Sequence, residues 1–500
     1  MSRSLFAWVV VAGILLRAAA LPGRGTGDVT VWKVWSYNAA RHGVGEMYGV
    51  GGTPPERREL EFAGAKATVD YPPLALYELG LAGHAYWAWS HRHFPNATPL
   101  NAFVKLPGVA AEIGLALLLF ATVRRPLGIA AARLTAAAYW LNPAALIDAS
   151  ILGYLDVQYV LPAVAALVAA AHGWPAFAGA LIAAAVLTKA QGLFIAPAVA
   201  LAIWSSGTPE GRVARVLSAA GGALAAGVAI VAPVVSAGGW PNMVQALGRL
   251  AHHDMLSANA ANLWWVIGYL LRAGYAVHDL GAWAAFTAPA RILGIQRVID
   301  IGYPNPRAIG AALTIAAAAW AIGTAYQFTI HNSESAIRPP QSAIRPPQSA
   351  IRHPQSSIRN PQSAIDVWLP AAVGAFTVHA YFTLSAQVHE NHLFAAVPLL
   401  VLAAAGRRAF WPIGVGVSAV VALNLNLFYG FGGGIGYALP RGMTMIDVTV
   451  ILAIVNCSLL LWHARVLKTE CSTAAARRQQ PAPALTPAPA GRSRSSGWRI

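Results

Sequence analysis

Charged residues and cysteine are scarce in this 500-residue chain. Asp, Glu, Lys and Arg make up 11% of the sequence, whereas hydrophobic residues make up 57%. Soluble domains carry roughly 25% charged residues, so the composition excludes an ordinary soluble enzyme. The two cysteines, Cys457 and Cys471, lie in a late apolar run and in a basic tail. They predict neither a disulfide nor a metal-binding pair.

The hydrophobic residues are gathered in recurring apolar runs. Runs of about 20 residues are long enough to cross about 30 Å of hydrocarbon. Because backbone groups in lipid must satisfy their own hydrogen bonds, these runs are expected to be helices. We predict an all-α polytopic membrane protein with about 12 transmembrane helices and a large first extracytoplasmic loop over 22–72.

The net charge is +16, and the basic residues lie mostly in short loops and in the tail. This distribution agrees with the positive-inside rule and does not indicate a nucleic-acid partner. The rule places Arg124-Arg125, Arg212, Arg215 and Arg407-Arg408 in the cytoplasm. The polar loops left outside contain Asp28, Asp156, His252 and His389-Glu390. The sequence therefore predicts one outward-facing site, provided that 74–100 and 262–306 are re-entrant, interfacial or hairpin segments.

We divide the chain into four parts. Residues 1–330 form a transmembrane catalytic module, and residues 366–463 form the C-terminal transmembrane helices. Between them, 331–365 is a low-complexity cytoplasmic linker that repeats the heptad Ser-Ala-Ile-Arg-Pro-Pro-Gln, whose prolines exclude a coiled coil. Residues 464–500 are predicted to be a disordered basic cytoplasmic tail.

The first apolar run, 5–21, has two interpretations. Ala18-Ala19-Ala20 resembles a signal-peptidase site, which would make the run a cleaved signal peptide. We favour an uncleaved span, because such a helix would anchor Asp28 directly after it. In that position Asp28 is predicted to be a catalytic base at the membrane surface. The alternative is a solvated carboxylate or an N-cap. Trp32, Trp35 and Tyr37 nearby indicate an interfacial aromatic belt on one or two short helices.

Further polar residues fall at the ends of apolar runs or inside them. Asp156 and Gln158 lie at the predicted outer edge of the membrane, and Lys189 interrupts an apolar run. Ionisable residues at membrane depth are costly and usually serve a site. We predict that Asp156 and Gln158 bind substrate, with a cap or an interhelical hydrogen bond as the alternative. Lys189 either pairs with an acid or binds an anion.

The motif His389-Glu390-Asn391-His392 joins two spans. It lacks the His-Glu-x-x-His spacing of a zinc site, so no metal is expected. An imidazole at the interface suits a phosphate oxygen, and Arg249 and His252 would add positive charge. The alternatives are structural caps for His389 and His392 and a solvated loop for His252.

Six short motifs occur in an order that resembles one family. They are Gly27-Asp28, Asp70-Tyr71-Pro72-Pro73-Leu74, Asp156-Val157-Gln158-Tyr159, Thr188-Lys189-Ala190-Gln191, Ala261-Asn262-Leu263-Trp264 and Gln387-Val388-His389-Glu390-Asn391. Over 27–400 the order resembles the GT-C membrane glycosyltransferases, especially the dolichyl-phosphate-glucose glucosyltransferases that extend the N-glycan precursor. The chain departs from that family where Ala190 separates Lys189 from Gln191 and where Asn391 replaces a lysine.

The resemblance implies an inverting transfer of a hexose from a polyprenyl-phosphate sugar to a lipid-linked or surface glycan. It implies Asp28 as the catalytic base and His389 and Lys189 as ligands of the donor phosphate, to which Arg249 and His252 would add positive charge. Tyr71 and Glu390 join Asp156 and Gln158 as expected substrate contacts. No cofactor is expected, and the alanine-rich composition is typical of a bacterial plasma-membrane protein. A lipid or solute transporter is the alternative, although no paired broken helices in two related halves are visible in the sequence. A polymerase of envelope polysaccharide is a third possibility.

Overall fold

The computed structural model describes residues 1–49, 51, 54, 57–250, 255–280, 304–337, 367–430 and 448–479. Nearly all regular structure in these ranges is helical. The helices are α1 Arg3–Ala20, α2 Gly27–His42, α3 Pro73–Trp89, α4 Thr98–Trp140, α5 Pro143–Leu152, α6 Asp156–Ala171, α7 Pro175–Thr188, α8 Ala196–Ser205, α9 Arg212–Ser236, α10 Trp240–Leu250, α11 Leu263–Leu280, α12 Pro306–Ile337, α13 Trp368–Leu384, α14 Ala396–Gly406, α15 Trp411–Tyr429 and α16 Val448–Gln479.

Six helical stretches in the described ranges are long and apolar enough to cross a membrane. They are Arg3–Ala20, Thr98–Trp140, Pro209–Ser236, Pro306–Phe328, Arg408–Tyr429 and Val448–Ser472. Five shorter apolar helical stretches accompany them. The prediction of an all-α polytopic membrane protein is therefore confirmed. The predicted total of about 12 transmembrane helices stays a prediction.

The first loop folds into a small unit whose core is shared with α3, α4 and α10. It contains α2, a 3-10 turn Val44–Glu46 and an antiparallel hairpin of β1 Leu60–Phe62 and β2 Ala65–Ala67. Trp32 and Trp35 are 2% and 0% exposed, and their rings pack against Tyr71. The prediction that these tryptophans form an interfacial belt is therefore wrong. A tryptophan beside a span can equally fill the core of the adjoining loop, and these two do.

Helix α3 returns the chain from the first loop and lies against α2 and α4. Pro72 is the N-cap residue of α3 and Pro73 its first residue, where a missing N–H is tolerated. Helix α4 is broken at Gly128, which has φ 84° and ψ 169°. Glycine reaches this backbone conformation without steric cost. The break divides α4 where Arg124-Arg125 divides the two apolar runs in the sequence.

The helix bounds can be compared with three predicted segments: the linker, the tail and the outer segment 262–306. Helix α12 continues to Ile337, so the first residues of the predicted linker 331–365 are helical. Helix α16 continues to Gln479, so the prediction of a disordered tail is wrong for 464–479. The remainder of the linker and of the tail lies outside the described residues. Of the predicted outer segment 262–306, α11 covers Leu263–Leu280.

Candidate functional site

The N-terminus of α2 is held against the junction between α5 and α6. Thr26 N donates to Leu152 O at 3.0 Å, and Trp32 Nε1 donates to Gly153 O at 2.9 Å. Gly25 has φ +73°, and a Cβ there would lie 2.6 Å from Leu152 O. This close approach, open to glycine alone, fixes where α2 begins and therefore where Asp28 lies.

Asp28 lies in the first turn of α2 and is half-buried. Thr26 is the N-cap residue, so the alternative that Asp28 caps this helix is wrong. Burial raises the pKa of the Asp28 carboxyl; the positive charge of Lys189 lowers it, and the charge of Asp156 raises it again. The first loop and the two sequence-distant positions 156 and 189 therefore meet at one place.

Lys189 and Asp156 form a buried ion pair. Lys189 Nζ lies 2.8 Å from Asp156 Oδ1, and the two side chains are 5% and 0% exposed. Asn391 Nδ2 donates to Asp156 Oδ2 at 2.6 Å. Lys189 also lies 5.8 Å from the centre of the Tyr71 ring. Of the two alternatives that the sequence left open for Lys189, the structure shows the acid pair.

Lys189 reaches Asp156 because α7 ends at Thr188, directly before it. The residue has extended backbone angles, φ −152° and ψ 130°, between α7 and a 3-10 turn over Ala190–Phe194. Asp156 is the first residue of α6. The pair therefore joins the end of one helix to the start of another, and the positive charge near Asp28 is largely balanced by a carboxylate.

Two loops that are far apart in sequence form a shared platform. Ala258 N donates to Val388 O at 2.9 Å, and Gln387 N donates to Leu256 O at 3.0 Å. Trp264 Nε1 donates to Leu384 O at 2.7 Å. This platform, residues 255–264 with 384–392, brings together the Ala-Asn-Leu-Trp motif and the His-Glu-Asn motif.

Glu390 projects from the platform to two tyrosines. Its Oε1 accepts from Tyr154 OH at 2.6 Å and from Tyr429 OH at 2.9 Å, and the glutamate is 2% exposed. The negative charge of Asp28 acts on the Glu390 carboxyl and on the Tyr154 hydroxyl. Glu390 is therefore oriented by hydroxyl donors close to the α2 N-terminus.

One histidine of the platform, His392, contacts the segment that carries Lys189. Gln191 Nε2 lies 3.0 Å from His392 Nε2, and the Tyr381 hydroxyl lies 3.1 Å from His392 Nδ1. His392 is thus held between the 3-10 turn Ala190–Phe194 and α13, in agreement with a structural role. The half-buried His389 has its ring centre 5.3 Å from that of His392.

The structure places the other predicted site residues less centrally. With its amide oriented to match its neighbours, Gln158 donates to Glu78 Oε2 at 2.7 Å and accepts from Gly108 N at 3.1 Å. It therefore links α6 to α3 and α4. The exposed Arg249 lines a small cleft on the first-loop unit and acts electrostatically on Asp70. His252 lies outside the described residues.

Several neighbours of the site were not predicted to be functional. Asn391 lies inside one of the six motifs and Tyr154 lies two residues before another, so proximity along the chain could have found them. Tyr429 ends α15 in an apolar run, and nothing in its local sequence indicates a hydrogen bond to Glu390. In the described part of the chain no group of three or more His, Cys, Asp or Glu side chains is arranged to hold a metal ion.

No protein-family model and no curated protein sequence matches this chain. Among solved structures, it is similar to the oligosaccharyltransferase of Archaeoglobus fulgidus tethered to an acceptor peptide, with 14% identity and a TM-score of 0.37. The apo form of that enzyme gives 13% identity and a TM-score of 0.35. Each match covers 94% of this chain, but only 55% and 56% of the two matched chains. This chain therefore spans about half of their length.

Proposed function

We propose that this protein is an inverting glycosyltransferase of the GT-C type. It moves a hexose from a polyprenyl-phosphate sugar to a lipid-linked or surface glycan at the extracytoplasmic face of the membrane. The main supporting observation is that the carboxylates near Asp28 have hydrogen-bonding or ion-pair partners, whereas the Asp28 carboxylate does not. Asp156 is bound by Lys189 and Asn391, and Glu390 is bound by two tyrosines. The Asp28 carboxylate makes no hydrogen bond or ion pair within the described residues.

A carboxylate that is half-buried and not engaged by a donor is suited to accept a proton. Burial raises the pKa of Asp28, which strengthens it as a general base. In the proposed step, an acceptor hydroxyl oxygen forms a bond to the anomeric carbon, and its proton passes to Asp28. The bond from that carbon to the phosphate oxygen breaks, and its electron pair leaves with the phosphate. A single displacement of this kind inverts the anomeric centre.

Negative charge grows on the departing phosphate, so cationic or hydrogen-bonding groups are needed there. We assign His389 to this role, because it lies on the platform with its ring centre 5.3 Å from that of His392, which contacts Gln191. Lys189 contributes positive charge, although it is also paired with Asp156. Arg249, and His252 three residues later in the sequence, complete the proposed set. Glu390, Tyr71 and Asp156 are the proposed sugar and acceptor contacts.

The test is transfer of radiolabelled hexose by the purified protein. Polyprenyl-phosphate-glucose and polyprenyl-phosphate-mannose are supplied separately, with total lipid extract of the host as the acceptor. Wild type is compared with Asp28→Asn and with Glu46→Gln, which removes an exposed charge from the same loop. We expect a larger labelled product from wild type and Glu46→Gln, and none from Asp28→Asn.

Two outcomes contradict the proposal in different ways. Turnover by Asp28→Asn at the wild-type rate rules out the base assignment. No transfer from either donor by folded wild type, together with movement of labelled lipid across proteoliposomes, supports the transporter alternative instead.

A further inference from the structure

The end of α5 and the glycine after it present four consecutive carbonyl groups, residues 150–153, to other parts of the chain. The carbonyls in the last turn of a helix have no partner within the helix, so they need donors from elsewhere. Lys105 Nζ, from α4, donates to Ser150 O at 3.2 Å and to Ile151 O at 2.7 Å. The next two carbonyls accept from Thr26 N and from Trp32 Nε1. This carbonyl row is therefore shared between Lys105 and the start of α2.

Lys105 also bonds the link between α1 and α2. Its Nζ donates to Gly23 O at 2.9 Å, and Gly23 lies five residues before Asp28. An ammonium group has three N–H donors, so all three are used on carbonyl oxygens. The lysine is 2% exposed, which leaves little room for water to replace these bonds. One side chain thus joins the entry to α2 to the end of α5.

The stem of Lys105 packs where the first turn of α2 lies. Gly153 has φ +80°, and a Cβ there would lie 2.6 Å from Val29 Cγ2 and 3.1 Å from Lys105 Cε. Gly153 is therefore enclosed between Lys105 on one side and Val29, the residue after Asp28, on the other. The contacts of Lys105 reach the turn that carries the candidate base through both its hydrogen bonds and its packing.

The other end of α2 is held by different elements. Ser36 Oγ donates to Leu79 O of α3 at 2.9 Å, and Asn38 Nδ2 donates to Glu61 O of β1 at 3.3 Å. Neither contact involves α4 or α5. Loss of the Lys105 bonds should therefore release the N-terminal turn of α2 and leave its C-terminal half in place.

We infer that Lys105 is a positioning residue that holds the first turn of α2, and with it Asp28, in place for proton transfer. The inference rests on the proposed glycosyl transfer, in which Asp28 takes the acceptor proton. A lysine suits this role because one nitrogen supplies three donors, and because positive charge is favourable beside the C-terminus of a helix. Methionine has a stem of similar shape and no donor, so Lys105→Met isolates the hydrogen bonds.

The first arm of the test needs no turnover. Hydrogen–deuterium exchange, read by mass spectrometry, should be at least about tenfold faster over 22–32 in Lys105→Met and unchanged over 33–42. Asn456→Leu is the control, because it removes buried hydrogen bonds between α13 and α16 and should leave exchange in both segments as in wild type. Unchanged exchange over 22–32 overturns the inference, and so does an equal increase over both segments.

The second arm is transfer by the purified variants. In Lys105→Met kcat should fall about a hundredfold with KM little changed, as expected for a displacement of about 1 Å at the base. Lys105→Arg keeps the charge and several donors, so it should recover part of this loss. Gly25→Ala displaces the same turn, so combining it with Lys105→Met should give a variant no slower than the slower single variant.

Two results separate the inference from the reaction on which it rests. If the losses in kcat from Lys105→Met and Gly25→Ala multiply in the double variant, the two residues act independently and the positioning role is overturned. Faster exchange over 22–32 in Lys105→Met, with no transfer from either donor by wild type, shows instead that Lys105 holds α2 and that the proposed reaction is wrong.

Discussion

Arg17 of α1 and Glu112 of α4 form a buried ion pair with two parallel hydrogen bonds. Arg17 Nε lies 2.8 Å from Glu112 Oε2, and Nη2 lies 3.1 Å from Oε1. The side chains are 2% and 0% exposed. Arg17 also donates to Gly13 O and Trp140 O, and Ser150 donates to Glu112. The first helix is thereby joined to the bundle behind the candidate site, although most of its surface faces outward.

Removing the guanidinium of this pair should destabilise the protein. In Arg17→Met the Glu112 carboxylate would remain buried with no cation, which typically costs about 3–5 kcal/mol. Thermal unfolding in detergent measures the change. Arg3→Met is the matched control, because Arg3 is exposed on the same helix and its loss should change stability by less than about 0.5 kcal/mol. Equal effects of the two substitutions would contradict the assignment.

The same pair predicts that α1 is retained. Cleavage after Ala20 would remove Arg17 and leave Glu112 unpaired in the bundle, so we expect the mature protein to keep residues 1–20. Intact-mass analysis of the protein purified from membranes reads this directly. A mature chain that begins at Leu21 would show that Glu112 is satisfied in another way.

Part of the site could be predicted from the sequence because its residues interrupt apolar runs. Lys189 and Asp156 are expensive in such surroundings, so a mutual pair was one of two physical solutions. The same reasoning applies to Arg17 and Glu112, but a sequence alone gives no means of choosing their partners. The pairing depends on which helices are neighbours.

For aromatic residues, the sequence does not distinguish between two possible environments. Tryptophans beside a membrane span are compatible with an interfacial belt and with a packed loop core, because both environments suit an amphipathic ring. The structure selects the packed core for Trp32 and Trp35 through Tyr71. Tyr429 was missed for a related reason. Its hydroxyl donates to Glu390, which is far away in the sequence, and no local sequence pattern indicates such a contact.

The Lys189–Asp156 pair allows a direct comparison of buried and exposed charges. Lys189→Met should destabilise the protein by about 3–5 kcal/mol, because Asp156 would keep its charge without its main partner. Lys66→Met is the control: Lys66 and Glu59 are 3.6 Å apart with side chains 58% and 47% exposed. Exposed pairs contribute about 0–1 kcal/mol.

A second substitution separates the pair from its surroundings. Lys189→Met with Asp156→Asn removes both charges and should recover part of the stability lost in the single variant, because no buried charge is left unpaired. Thermal unfolding in the same detergent gives the comparison. If the double variant is no more stable than Lys189→Met, the lysine acts mainly through packing.

Gly25 tests whether the placement of α2 sets the activity. An alanine there would clash with Leu152 O and would carry an unfavourable φ of +73°, so the α2 N-terminus must move. A displacement of about 1 Å at a catalytic group can reduce the rate about a hundredfold. Gly27→Ala is the matched control, because a Cβ at Gly27 meets no atom within 4 Å. Transfer assays on both variants should show a loss confined to Gly25→Ala.

The raised pKa of Asp70 gives stability a defined pH dependence. The folded-state pKa of about 6 exceeds the ordinary value of 3.8, so the folded protein binds this proton more tightly than the unfolded chain. The resulting stabilisation is complete below about pH 4 and is lost as the pH rises through about 6. Wild type should therefore lose about 1–2 kcal/mol from this group between those limits, after allowance for solvent screening. Asp70→Asn should lack that decline.

The decisive quantity is the difference in melting temperature between Asp70→Asn and wild type, followed across pH. Because the cost of charging Asp70 is present in wild type alone, the variant should gain on wild type as the pH rises from about 4 to about 7. Glu46→Gln should follow wild type throughout, since Glu46 is exposed. A difference that stays constant with pH would mean that Asp70 titrates as an ordinary surface carboxylate, and the burial and the Asp28 charge would then have no measurable effect on it.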